Sequence, residues 1–278
     1  MVDRLAALLE RFSVTAEVFH AGALCGINTL EGDGMGQFHL IQRGAMEVTH
    51  GRDSLQIEQP SLLLYPRPLR HRFSSDPRHG ADLACANLHF LGGTQNPICA
   101  ALPDVVCLPL EQLPGASPVL AVLFEEAFGQ RCGRAALVSR LFEVVIVQLL
   151  RHLMESGQIR AGMLAGLGHP RLRNALVAIH QDPALDWSLA SLAEAAGMSR
   201  TAFATTFRQI LGITPGQYLQ GWRVSLAQQA LGAGRPLKVV AGEVGYGSEA
   251  ALSRAFKAHS GLTPRAWKQR DATSVSAP

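Results

Sequence analysis

Two kinds of hydrophobic spacing divide the chain. Between about residues 14 and 90, short apolar runs at 37–41, 45–48, 61–65 and 83–90 alternate with turn clusters such as Glu31-Gly32-Asp33-Gly34 and His50-Gly51-Arg52-Asp53. Runs of this length predict β-strands, and many at this spacing predict a small sandwich or barrel. Residues 96–118 are Pro-rich and predict an irregular crossing. The period then lengthens: 119–129 and 134–156 place apolar residues at helical spacing and predict an antiparallel helix pair. Gly162, Gly166 and Gly168 mark 157–168 as a linker, and 170–270 reads as a series of short helices. Residues 1–12 read as an amphipathic helix broken by Asp3, Arg4, Glu10 and Arg11, without the apolar core of an export signal. No apolar stretch approaches the roughly 18 residues of a membrane span.

Within the helical third lies an internal repeat. Residues 199–218 superpose on 248–267, with Ser199/Ser248, Ala202/Ala251, Phe207/Phe256, Gly212/Gly261, Thr214/Thr263 and Pro215/Pro264 identical. Upstream, Leu189/Leu237, Ala193/Ala241 and Gly197/Gly245 match with the offset one residue shorter, because Tyr246-Gly247 replaces Met198 in the turn. Each copy reads as a short helix ended by glycine, then a serine N-cap and a second helix. Phe203 and Phe207, or Leu252 and Phe256, form the core-facing stripe of that second helix. This is a helix–turn–helix plan, in which the second helix enters the major groove of DNA. Residues 215–230 join the copies as one longer helix with an apolar stripe at Tyr218, Leu219, Trp222, Leu226 and Ala230. A rigid connector of this kind would set the separation of two readers on adjacent major grooves, about 34 Å apart.

Charge sharpens this reading. The net charge is +3, with 25 Lys+Arg against 22 Asp+Glu. From His169 onward there are 12 basic and 6 acidic residues, and before it 13 and 16, so an acidic body carries a basic end. That asymmetry fits a nucleic-acid partner for the duplicated region. The five cysteines are too few and too scattered for a disulfide scaffold, and they suggest a reducing, cytoplasmic compartment.

The stretch 187–267 resembles the DNA-binding domain of the AraC/XylS family of transcription regulators. The matching words are Leu189-Ala190-Ser191-Leu192-Ala193, Met198-Ser199-Arg200, Phe207-Arg208-Gln209 and Gly212-Ile213-Thr214-Pro215. The second copy contributes Ala241-Gly242-Glu243-Val244-Gly245-Tyr246, Phe256-Lys257 and Gly261-Leu262-Thr263-Pro264. The resemblance implies base readout by Arg200, Thr201, Ala204 and Thr205, then by Glu249, Ala250, Ser253 and Arg254. Phosphate contacts fall to Arg208, Lys257 and the helix N-termini at Ser199 and Ser248. Thr201, Ala204 and Thr205 offer methyl contacts or single hydrogen bonds. Arg254 is the long donor among the base-facing positions, and guanine is the commonest target of arginine.

The first half resembles the cupin-type sensor domains that precede such regions. The similar words are Cys25-Gly26, Phe38-His39-Leu40-Ile41 with Gly44, Leu63-Leu64-Tyr65-Pro66-Arg67 with His71, Cys85, and Leu102-Pro103-Asp104. Pro60-Ser61 stands where Gly-Asp is usual, and Ile27-Asn28 replaces the usual aromatic after Cys-Gly. Metal-dependent cupins supply His-x-His plus a carboxylate and a later His; here there are only His39 and His71, so no metal or cofactor is expected. Gly32, Gly34 and Gly36 lie between strand-like runs and form a turn rather than a nucleotide loop. Cys25, His39, His71 and Cys85 are the candidates for effector or redox sensing. A small organic effector, an oxidant acting on thiols, a metal ion and no effector at all remain open.

The expected fold is therefore α+β. A cupin-like β-barrel with a helical dimerisation pair occupies 1–156, a linker 157–168, and an all-α double helix–turn–helix domain 169–278. The expected protein is a cytoplasmic, homodimeric regulator that is not an enzyme. Its expected partners are duplex DNA, RNA polymerase and an effector or oxidant, with no membrane. The rival reading is a cupin-type metalloenzyme or a thiol acceptor in DNA repair with a DNA-binding tail.

Overall fold

The computed structural model describes residues 3–31 and 34–275, so Gly32 and Asp33 of the first turn cluster lie outside the described residues. A short helix, α1 (Ala6–Arg11), precedes nine strands among the described residues: β1 (Val14–Leu24), β2 (Ile27–Leu30), β3 (Gly36–Arg43), β4 (Met46–His50), β5 (Asp53–Ile57), β6 (Ser61–Tyr65), β7 (His71–Ser75), β8 (Ala81–Phe90) and β9 (Val106–Pro109). They form two antiparallel sheets, ordered β1-β8-β3-β6-β9 and β2-β7-β4-β5. The inner faces enclose a core of Ile41, Met46, Val48, Ile57, Leu63, Tyr65, Phe73 and Leu83.

The continuous apolar runs of β3 and β6 have a physical reason. Every residue of β6 and the first six of β3 are buried, because each strand is covered on both faces. One face meets the second sheet. The other carries Phe38, whose ring meets Phe142 edge-on at 5.5 Å. Phe142 belongs to a helical layer that follows α2 (Pro97–Ala101): α3 (Ser117–Phe128) and α4 (Arg134–Glu155), the antiparallel pair that the periodicity predicts. Strand β1 is a sheet edge, and α4 satisfies two of its free N–H groups. Ala16 donates to Glu143 at 3.2 Å and Val18 to the Ser139 hydroxyl at 3.1 Å, which closes an edge otherwise open to association. Two of the cupin-like words also meet: the Arg67 guanidinium donates to Asp104 at 2.7 Å and to the Leu102 carbonyl at 2.9 Å.

The rest of the chain is helical: α5 (Gly162–Gly168), α6 (Leu172–Gln181), α7 (Leu189–Ala195), α8 (Arg200–Leu211), α9 (Pro215–Gly232), α10 (Leu237–Glu243), α11 (Glu249–Ser260) and α12 (Pro264–Val275). The chain divides into two compact units, Ser13–Ser156 and Met1–Phe12 with Gly157–Pro278. This differs from the expected boundaries in two places. Residues 162–168 are helix instead of linker, since Gly166 lets the turn approach its neighbours. A Cβ there would lie 2.7 Å from Leu176 and 2.9 Å from Leu211. And α1 belongs with the C-terminal helices. Leu5, Leu8 and Phe12 are buried, Phe12 meets Trp222 edge-on at 5.1 Å, and Arg11 donates to the Gln181 carbonyl at 3.1 Å. The Gln229 amide donates to the Arg11 carbonyl.

Candidate nucleic-acid interface and sensor core

The second helices of the two copies fold alike. Helices α8 and α11 have 12 residues each. Ser199 accepts from the Ala202 N–H at 3.3 Å and Ser248 from Ala251 at 3.2 Å. Gly212 and Gly261 end the helices with φ of 77° and 74°, a conformation that L side chains resist. The turns before them close identically: Met198 donates to the Ala193 carbonyl at 2.9 Å and Tyr246 to Ala241 at 2.7 Å. Gly247 is the extra residue of the second turn. The cores correspond too, Phe207 meeting Tyr218 at 5.7 Å and Phe256 meeting Trp267 at 6.0 Å, both edge-on.

That inward phase leaves the opposite stripe to solvent. Ser199, Arg200, Thr201, Thr205 and Arg208 are exposed and Ala204 is half-buried. In the second copy Ser248, Glu249, Ala250, Arg254 and Lys257 are exposed and Ser253 is half-buried. Among the described residues, no ion pair involves Arg200, Arg208, Arg254 or Lys257. Their charge is uncommitted, unlike that of Arg235, which is paired with Glu243. A cavity of about 790 Å³ bordered by Thr205, Arg208 and Trp187 shares Gly216 and Leu219 with a second of about 420 Å³ bordered by Arg254. Two capped helices, each with uncommitted cations on its exposed stripe, can meet a duplex, phosphates meeting the cations and base edges the shorter side chains.

The core of the same helical unit holds an aromatic stack. His180 sits 4.0 Å from Trp222, and its Nε2 is 2.7 Å from the Tyr218 hydroxyl. Burial, with Arg11 adding to it, lowers the His180 pKa to about 3, so the ring is neutral in the folded protein.

In the sheet unit, three of the four sensing candidates converge. His39 on β3 and His71 on β7 approach from opposite sheets, their Nε2 atoms 3.0 Å apart. The Leu69 carbonyl can only accept, so His71 Nδ1 carries a proton and donates at 2.8 Å. Burial lowers both pKa values, with the neighbouring imidazoles adding to the effect for His39. Neutral His71 therefore accepts from His39 Nε2–H, and His39 Nδ1 is left buried without a partner. Cys85 lies opposite His39 across β3–β8, and burial pushes its thiol pKa up. Cys25 is apart. Leu24 pairs with Ala81, which places Cys25 about 16 Å along β8 from Cys85 at strand rise; the two are too distant for a disulfide in this fold. Sequence reasoning missed His20, which faces Cys85 across β1–β8 where the register shifts between Val18 and His20. It also missed Tyr65, stacked on His71 at 4.2 Å. Among the described residues, no group of three or more His, Cys, Asp or Glu is arranged to hold a metal ion.

A cupin-like sheet unit in one chain with a duplicated, basic helix–turn–helix unit defines a DNA-binding transcription regulator. Residues 3–155 match the Cupin family and residues 192–270 the Helix-turn-helix domain family. A putative AraC-like transcription regulator of Streptomyces antibioticus is 38% identical over 258 residues, spanning 82% of this chain and 85% of the relative. RclR, an RCS-specific HTH-type transcriptional activator of Escherichia coli K12, is 26% identical over 240 residues, 84% of each. Among solved structures, the DNA-binding domain of AdpA in complex with a target DNA is 28% identical with a TM-score of 0.37; the likeness covers 39% of this chain and 100% of that one. The chain belongs to the AraC-like transcription regulators.

Proposed function

We propose that this regulator reads a two-part DNA site, with α8 and α11 in successive major grooves on one face of the duplex. The observation that carries this is the duplicated, serine-capped helix with an uncommitted cation stripe in each copy. Base readout falls to Arg200, Thr201, Ala204 and Thr205 in the first copy, and to Glu249, Ala250, Ser253 and Arg254 in the second. Arg208, Lys257 and the helix starts at Ser199 and Ser248 hold phosphates. The sheet unit receives the signal, with His39, His71 and Cys85 at its core and Cys25 at its surface. The protein works in the cytoplasm, and bound DNA brings it to RNA polymerase.

A homodimer is supported by α4. Leu137 and Val144 are exposed at 43% and 42%, and with the half-buried Leu141 and Gln148 they recur at spacings of four, three and four. That is the heptad spacing of a helix–helix seam. Among the described residues, no helix is long and apolar enough to cross a membrane. Selection of binding sequences from random duplexes, followed by footprinting, tests the two-part reading. Protection of two segments about one helical turn apart is expected; a single protected segment overturns it.

A further inference from the structure

Arg223, in the middle of α9, directs its guanidinium hydrogen bonds at three backbone carbonyls. Its Nε donates to the Pro183 carbonyl at 2.7 Å and its Nη2 to Leu185 at 2.8 Å, both in the loop that leads into the first helix–turn–helix. Its Nη1 donates to the Gly245 carbonyl at 3.2 Å, in the turn of the second motif. The Tyr246 ring from that turn lies 5.6 Å from the guanidinium carbon. At this point the loop before the first motif touches the turn of the second. Gly245 has a φ of +84°, and a Cβ there would fall 2.8 Å from the Ala184 backbone and 2.9 Å from Arg223 Nη2. The planar fork of arginine can join three carbonyls from two segments at fixed angles, which a lysine ammonium on its flexible stem cannot do.

We infer that Arg223 is the positioning residue that sets the separation and angle of the two recognition helices, and so determines which spacing between two base sequences the protein accepts. This rests on the two-part reading above. One inserted base pair moves the second site by about 3.4 Å and turns it by roughly a tenth of a helical turn. A joint held by three hydrogen bonds refuses that displacement, and a joint without them yields to it.

The test measures affinity of the full chain for duplexes carrying both selected half-sequences at the native spacing and with one or two base pairs added or removed. The wild type is expected to lose about ten- to a hundred-fold for each one-pair change. Arg223→Met, which keeps the apolar stem, is expected to bind the native spacing less tightly and the altered spacings almost equally. Arg223→Lys should fall between the two, and it keeps the test open if the methionine variant does not fold. A variant that loses affinity by one factor at every spacing marks Arg223 as a fold-stabilising residue only and overturns the inference. A wild type indifferent to spacing overturns the two-part reading instead.

Discussion

Arg254 has the length to reach a base edge, and among the described residues no ion pair holds it back. A bidentate arginine–guanine contact is worth about 1–3 kcal/mol of discrimination. Arg254→Ala is expected to lower affinity by that amount and to relax preference at one position of the site, measured by repeating the selection with the variant. Unchanged preference removes Arg254 from the readout. Buried histidines carry a different prediction. His180 is neutral in the fold with a pKa of about 3, whereas an unfolded histidine titrates near 6.5. Its contribution is complete above about pH 6.5 and is lost as pH falls from there toward 3, at up to about 1.4 kcal/mol per pH unit. His39 and His71 are shifted the same way. Thermal unfolding should show a melting temperature level from pH 7 to 8 and falling below about 6.5, with the fall shallower in His180→Phe. These pKa shifts were invisible in the sequence, since neither a histidine's burial nor its partner is written beside it. The outward stripe of α8 was legible because Phe203 and Phe207 fix the helical phase.

At the scale of elements, capping and glycine placement were legible because both are local. Ser199 and Ser248 each act on an N–H three residues away, and Gly212 and Gly261 on the helix they end. Helix α5 was not legible. Four glycines in twelve residues read as a linker, and only the approach of Leu176 and Leu211 shows why Gly166 suits a helix. Arg223 was passed over for the same reason: a charge on an amphipathic helix normally faces water, and its three carbonyl partners are 22 to 40 residues away. Helix α4 has a burial pattern with a use. One face is spent on β1 and α3, while Leu137 and Val144 point away. Val144→Glu, or Leu137→Glu, places a charge in the proposed seam without touching the core. Sedimentation is expected to show a dimer for the wild type and a monomer for either variant. A wild type that is monomeric at micromolar concentration and on DNA argues against the seam.

For the molecule as a whole, chain order and compact units disagree. The helical unit begins at one end of the sequence, is interrupted by the entire sheet unit, and resumes at Gly157. The hydrophobic pattern of 1–12 predicts an amphipathic helix, but it cannot say that its partner, Trp222, is 210 residues further on. Deleting 1–12 should therefore damage the DNA-binding unit more than the sheets. It strips Phe12 from Trp222 and removes Leu5 and Leu8; losses of this kind cost about 2–5 kcal/mol for each large side chain. A lower melting temperature with a red-shifted tryptophan emission is expected, and unchanged unfolding of the truncated chain would show that α1 only rests on the surface.

The same interruption puts the parts of one unit at opposite ends of a timetable. A ribosome finishes Leu5, Leu8 and Phe12 early, then works for about 10–40 s before Trp222 leaves the exit tunnel. For that interval three apolar side chains have no home, while the sheets complete themselves downstream. The helical unit thus closes over α1 only after every strand of the sheet unit has been made.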